Sequence, residues 1–428
     1  MTGLETLALE TVVKGLASLV VNTAWKGGST LFGKAGEALN DQRKQLVLNI
    51  SRQYIQNYAD RHCAVKVLGM REAVSLDEIY TTVQVLNKST AKSFESIEAL
   101  EELHRNSSQR QFRFNEQQQK KVGINAADES QFLMVLGAPG AGKSTFLRKI
   151  GLEALKGKEW KFQVHTVQHG KRIFKTEQKK CVPVLFDLKR VAAETINIEA
   201  LIAEEFRICG FPEPEEFTEA ALRTGSLLIL FDGLDEVPSQ RLNGVIEAIR
   251  NFVDRHHKNR FIASCRIAAY KYHSDFHRFT DVVVAEFDDE QIQQFIHNWF
   301  RADVDRQAQT AEKCWNLLNQ KENASAKELA QTPLLLTFLC LVYDRSQNLP
   351  DNRSTLYGKA LDILLEEWAA EKRIERDPIY QGFHADLEKV LLAEIAYQGF
   401  ENDQLFFSEQ DLTAQIKAFL ADTLDAPK

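Results

Sequence analysis

Phe132-Leu133-Met134-Val135-Leu136-Gly137-Ala138-Pro139-Gly140-Ala141-Gly142-Lys143-Ser144-Thr145 is the stretch on which the fold reading turns. Its first five residues form a continuous apolar run of strand length. Phe146, Leu147 and Ile150 then give the core face of a helix. Between strand and helix stands a complete GxxxxGK[ST] pattern. Glycines suit such a loop because only a backbone without Cβ atoms can curl its N–H groups around phosphates. Amides at the start of the helix add anion affinity. The pattern therefore predicts nucleotide contacts from Gly137, Ala138, Pro139, Gly140, Ala141, Gly142, Lys143, Ser144 and Thr145. Lys143 is expected to reach the β- and γ-phosphates, and the Ser144 hydroxyl to ligate Mg²⁺. The competing reading is a glycine-rich turn that holds no nucleotide.

A second apolar run ends in acid: Leu227-Leu228-Ile229-Leu230-Phe231-Asp232-Gly233-Leu234-Asp235-Glu236. A strand closing on Asp232 is a Walker B element, which sets a carboxylate beside the metal, bound directly or through its water shell. Asp235 and Glu236 add two acids where a hydrolytic water would be oriented. The plainer alternative is a surface acidic turn capping the next helix. Simple P-loop kinases do not need the extra acidic pair, so it favours hydrolysis over phosphotransfer.

Further apolar runs at Val182–Phe186, Arg260–Ser264 and Val282–Val284 alternate with amphipathic stretches of helical length. Buried strands alternating with helices predict an α/β class, a P-loop NTPase core with a largely parallel central sheet. Upstream, residues 1–62 read as a helical module of two helices around a glycine-containing turn. Leu46, Ile50, Tyr54 and Tyr58 are expected on one face of its second helix. Tyr80–Leu86 is strand-like within a 63–129 connection, and 109–121 reads as a solvated linker or helix face. Residues 130–286 form the expected nucleotide-binding domain and 287–350 a helical subdomain. In the latter, Asp288 and Asp289 can cap a helix carrying Ile292, Phe295, Ile296, Trp299 and Phe300. Helical patterns continue over Leu334–Tyr343, Leu356–Trp368 and Leu387–Ile395. Trp160–Val167 followed by His169-Gly170 reads as strand and turn. From Lys156 to Lys180 there are seven Lys and one Arg against two Glu, a net of +6. A solvated hairpin is the simplest account; nucleic acid or an acidic partner is the other.

The 428 residues suggest about three domains. With 44% hydrophobic and 26% charged residues, wholesale disorder is excluded. A net charge of −7 removes a generic electrostatic case for nucleic acid. No run of about 18 uncharged apolar residues exists, so no transmembrane segment is expected. The acidic N-terminus disfavours a signal peptide. Six scattered cysteines without CxxC or zinc spacing read as reduced, mostly buried thiols of a cytoplasmic protein.

The P-loop together with the Asp232-Gly233-Leu234-Asp235-Glu236 ending resembles the NACHT class of STAND ATPases, which includes NOD-like receptors and bacterial defence relatives. Phe261–Arg266 resembles the strand that ends in the family's sensor-1 arginine. Phe287–Ile292 resembles the opening of its first helical subdomain, and Thr332–Leu336 the segment whose proline packs on the adenine. Leu349-Pro350 and Leu356-Tyr357 resemble the approach to a winged-helix region, which would start within 351–428. The resemblance implies that Arg266 contacts the γ-phosphate, that Pro333 closes the adenine pocket and that the segment around Tyr80 supplies its other wall. It further implies ATP/ADP and Mg²⁺ as cofactors. The implied role is a signalling switch that hydrolyses ATP and self-oligomerises on activation, with an unidentified trigger and effector, in innate or antiphage defence. Two features depart from the family. No SFxHxxxQEY-like segment, source of the family's winged-helix histidine, is present, and no leucine-rich, TPR or WD-type sensor follows. The chain ends where a winged helix would be completed, as expected of a fragment or a short member. A STAND-type transcription regulator, which would need a DNA-reading helix, and a P-loop phosphotransferase are the alternatives.

Overall fold

The computed structural model describes residues 6–28, 39–65, 74–86, 120–168, 171–190, 196–270, 276–349, parts of 354–362, and 385–424 except 403, 405, 406 and 408. Two helices open the chain, α1 (Thr6–Lys26) and α2 (Asp41–His62). Short elements follow: β1 (Ala64–Val65), β2 (Val74–Ser75), α3 (Leu76–Ile79), β3 (Gln84–Leu86), β4 (Lys121–Val122) and α4 (Gly123–Glu129). Next come β5 (Phe132–Gly137), α5 (Lys143–Leu155), a hairpin of β6 (Glu159–Gln168) and β7 (Lys171–Lys180), and β8 (Val182–Asp187). Then run α6 (Ile198–Ile208), α7 (Pro214–Thr224), β9 (Leu227–Asp232), α8 (Ser239–Arg255), β10 (Arg260–Arg266) and β11 (Thr280–Val284). The remaining helices are α9 (Asp289–Trp299), α10 (Asp303–Ala308), α11 (Thr310–Leu318), α12 (Ala324–Leu329), α13 (Pro333–Ser346), α14 (Ala385–Glu401) and α15 (Glu409–Leu424).

The central sheet runs β4-β3-β11-β5-β10-β9-β8. β11, β5, β10, β9 and β8 are mutually parallel, as their two-sided burial requires. β9 is buried at all six positions, and each large apolar side chain so buried contributes about 1.5–3 kcal/mol. The expected largely parallel character is met by these five strands. β3 and β4 instead add an antiparallel edge. The strand-like stretch that begins at Tyr80 narrows to three residues, because Tyr80 still closes α3. From β5 the chain crosses to β8 at the far edge and returns through β9 and β10. It then passes to the other side of β5 as β11. The crevice outside the carboxyl ends of these strands is where such sheets bind ligands.

The expected face of α2 is shifted by one residue at its start. Val47, Ile50, Ser51, Tyr54, Ile55 and Tyr58 are buried, whereas Leu46 is 42% exposed. Positions 47, 50, 51, 54, 55 and 58 keep the 3.6-residue period, while steps of four drift off the stripe. This face packs on the sheet domain rather than on α1 alone. The Tyr54 hydroxyl donates to the Pro183 carbonyl at 2.5 Å, and its ring joins Phe206 and Phe211. A Cβ at Gly151 of α5 would collide with the Tyr58 hydroxyl, so this close approach requires glycine. Apolar residues of α1, α2 and the sheet form one core. A second core, with Phe287, Ile292, Ile296, Leu336, Leu339 and Tyr343, holds α9–α13 together.

All six cysteines are free thiols and five are buried. No described helix is long and apolar enough to cross a membrane. The expected connection over 109–119, the His169-Gly170 turn, Pro350, Leu356 and most of the Leu356–Trp368 helical pattern lie outside the described residues.

Candidate nucleotide site

β5 ends at Gly137 and α5 begins at Lys143, so the loop between them sits at the carboxyl edge of the sheet. Gly140 and Gly142 take φ of 73° and 87°, values that side-chain-bearing residues avoid. The Lys143 ammonium donates to the Gly137 and Ala138 carbonyls, both at 3.0 Å, and so spans the loop. Burial pushes its pKa down.

Neighbouring strands bring the acids to this loop. Parallel register sets Arg266 of β10 beside Gly137 of β5 and Asp187 of β8 beside Asp232 of β9. Asp232 Oδ1 accepts from the Ser144 hydroxyl at 3.0 Å and from the Ser264 hydroxyl at 2.6 Å. Ser264 Oγ in turn accepts from the Gly233 amide at 2.9 Å. Asp232 is buried, and desolvation raises its pKa despite those two bonds.

Asp235 and Glu236 are differently placed. The Asp235 side chain is only 5% exposed, and both its oxygens are engaged by Arg266. Oδ1 accepts from the Arg266 amide at 2.8 Å, and Oδ2 pairs with Nε at 2.9 Å. Glu236 is 39% exposed and stands 4.0 Å from the Arg266 guanidinium. Burial, then the Asp235 charge, raises its pKa above the usual carboxylate range.

These groups open into one cleft of about 300 Å³, at the small end of ligand pockets. Its floor is Pro139–Thr145, and Gly233, Asp235, Glu236, Ser264 and Arg266 form one side. Tyr80, Thr81 and Val83 form a second wall. Phe287, Phe295, Pro333, Leu334 and Thr337 of the helical bundle form a third. Gly137, Ala138 and Asp232 do not line the cleft; they lie just behind it, bonded to Lys143 and Ser144. The residues that motif reading overlooked are Ser264, Phe287, Phe295, Leu334 and Thr337. A hydroxyl near the end of the apolar run 261–265 was the available signal for Ser264. The others carry none, because helix-face apolar residues look alike whether they pack on protein or on a ligand.

The bundle touches the loop directly. Leu334 N donates to the Gly140 carbonyl at 3.3 Å, and a Cβ on Gly140 would come within 2.7 Å of Leu334 Cβ. Asp288 and Gln291 cap α9 reciprocally, and the same two side chains hold the upstream segment. Gln84 Nε2 donates to Asp288 Oδ2 at 2.8 Å, and Gln291 Nε2 to the Thr82 carbonyl at 2.6 Å.

Residues 131–303 match the NACHT domain. The chain carries a NACHT domain. The match runs from the residue before β5 to the start of α10, so the loop, both acidic strands and Arg266 fall within it. Tyr80 and Pro333 fall outside it. No curated protein matches the chain.

Proposed function

We propose that this NACHT-domain protein is a switch that binds ATP with Mg²⁺, hydrolyses it slowly and self-assembles in the bound state to engage an effector. A cytoplasmic role in innate or antiphage defence fits its class. The observation that carries the reading is the shared wall of the cleft. The phosphate-type loop and the bundle helix α13 meet at Gly140 and Leu334, so whatever fills the cleft bears on both bodies. A ligand shifts such an arrangement only by its differential affinity for the two placements.

The donors present suit the cofactors. Ser144 and Asp232 offer one hydroxyl and one buried carboxylate 3.0 Å apart, a hard-oxygen set that leaves positions for water and phosphate oxygens, as Mg²⁺ prefers. When bound, the cation would neutralise developing charge on the phosphoryl oxygens. Lys143 and the loop amides would hold phosphates. Ser264 fixes the Asp232 rotamer. Glu236, more exposed than Asp235 and less engaged by Arg266, is the group placed to take a proton from water. Asp235 instead orients Arg266 toward the cleft. Tyr80, Pro333 and Phe295 line the apolar end, which suits a base.

Three variants and three readouts test this. Lys143→Ala leaves phosphate charge unpaired and should weaken ATP at least tenfold, about 1.4 kcal/mol, by titration calorimetry. Glu236→Gln should bind Mg·ATP as the parent does, release phosphate about a hundredfold more slowly, and accumulate assembled protein by light scattering. Asp235→Asn should slow turnover through a misplaced Arg266. Equal turnover in Glu236→Gln and the parent would overturn the assignment of the base.

A further inference from the structure

The β6–β7 hairpin pairs over ten residue pairs, from Glu159 with Lys180 to Gln168 with Lys171, and joins no strand of the central sheet. Ten residues span about 33 Å, so it is a long ribbon for a simple connection between α5 and β8. Its base is tied to the domain through Arg260. Arg260, fully buried, lies over the rings of Trp160 and Phe162, with centroids at 5.5 and 5.0 Å. Its guanidinium donates to the carbonyls of Ala127, Asp128, Ser130 and Lys161. A buried cation costs several kcal/mol unless it is satisfied in this way. The ribbon therefore leaves the domain from a fixed root.

The stretch from Lys156 to Lys180 carries +6 on a chain whose net charge is −7. The opposite charge is concentrated elsewhere. From Glu199 to Glu219, across α6 and α7, seven Glu stand against one Arg, a net of −6. Glu213, Glu215, Glu216 and Glu219 are all exposed. Among the described residues Glu215 pairs with Arg207, and no ion pair involves Glu213, Glu216 or Glu219. The ribbon roots on α4 and Arg260, whereas α7 packs on α1 and α6. The two charged surfaces thus belong to different elements. Each copy of the chain carries one of each.

We propose that the basic β6–β7 ribbon docks on the acidic α6–α7 surface of a second copy of this chain, a head-to-tail contact. Such contacts are heterologous, closing into rings or continuing as filaments. A second copy is favoured over a nucleic acid because the chain as a whole is acidic and presents exposed glutamates on α7, of which Glu213, Glu216 and Glu219 make no ion pair among the described residues. The contact rests on the self-assembly reading above and specifies its interface. It is sensitive to salt, since the Debye length falls from about 10 Å at 0.1 M to about 3 Å at 1 M.

The test is charge exchange. Lys171→Glu/Arg172→Glu/Lys175→Glu cancels the +6 of the ribbon stretch, and Glu215→Lys/Glu216→Lys/Glu219→Lys cancels the −6 of the helix pair. Each full-length variant is first shown to bind Mg·ATP as the parent does. Light scattering should then find self-association at least tenfold weaker for each variant alone and restored when the two are mixed, because the mixture again pairs opposite charges. Loss without rescue overturns the proposal. Variants that assemble like the parent overturn the contact but leave the nucleotide switch standing. A parent chain that binds Mg·ATP yet stays monomeric at low salt overturns the assembly step itself, and this contact with it. If assembly is unchanged but a 20-base-pair DNA duplex binds the parent and not the ribbon variant, the ribbon is a nucleic-acid arm and the proposal is wrong.

Discussion

Asp232 is a carboxylate whose burial opposes its charged form. It is buried, two hydroxyls converge on one of its oxygens, and desolvation still outweighs them. Its folded-state pKa is raised, so any stability it contributes is complete only below the ordinary Asp value and is lost as pH rises through the folded one. Above that folded-state pKa the ionised group is therefore a net cost in the protein without a bound cation. Asp232→Asn keeps an acceptor for Ser144 and Ser264 and removes that cost. It should raise the melting temperature of the nucleotide-free protein by about 3 °C, roughly 1 kcal/mol, while removing the stabilisation given by Mg·ATP. A lower melting temperature without nucleotide would show that the charge is already compensated. With Glu236 as the proposed base, turnover takes its pH dependence from this carboxyl. A base must be ionised to accept a proton, and this carboxyl lies above its usual range. Phosphate release should fall as pH drops through a value higher than about 4.3, and that acid limb should vanish in Glu236→Gln.

At the scale of elements, the meeting of β5, its loop and α13 depends on a missing side chain. Gly140 has a positive φ, and a Cβ there would press on Leu334. Gly140→Ala should cost about 1–3 kcal/mol through strain and overpacking, and should weaken ATP binding as the loop shifts away from the bundle. Leu334→Gly should recover part of the lost binding, since it removes the Cβ that the added methyl would meet; calorimetry on the single and double variants checks this. The same elements mark what was legible in the sequence. β5, β8, β9, β10 and β11 were each visible as apolar runs, because a strand buried on both faces has little choice of residue. The loop and the DGLDE turn were legible because phosphate and metal chemistry constrain residue type. α4 and β4 were not, since Lys121-Val122-Gly123-Ile124 is too short to show a period. The Leu46-to-Val47 shift arose because two adjacent apolar residues fit either start of a stripe. That Asp235 and Glu236 differ was also hidden: adjacent acids look equivalent until Arg266 arrives from β10 to take one of them.

The described residues hold two large apolar cores. One joins α1 and α2 to the central sheet, and the other holds α9–α13. Between them run the Asp288 and Gln291 ties to residues 82–84 and the Leu334–Gly140 contact. These are polar ties of about 0.5–1.5 kcal/mol each, far weaker than either apolar core. Without nucleotide, the bundle should therefore open as its own cooperative unit below global unfolding. Amides of 289–343 should exchange with deuterium sooner than those of β5, β9 and β10, and α2 should be protected with the sheet through Tyr54 and Tyr58. A ligand seated against both bodies adds its binding energy to the junction, about 2.7 kcal/mol at a hundred times its Kd. Saturating Mg·ATP should bring bundle and sheet amides to one common exchange free energy, while leaving α1 and α2 unchanged relative to the sheet. Protection confined to residues 137–145 would mean that the cleft is read by the sheet alone and that α13 is not part of the switch.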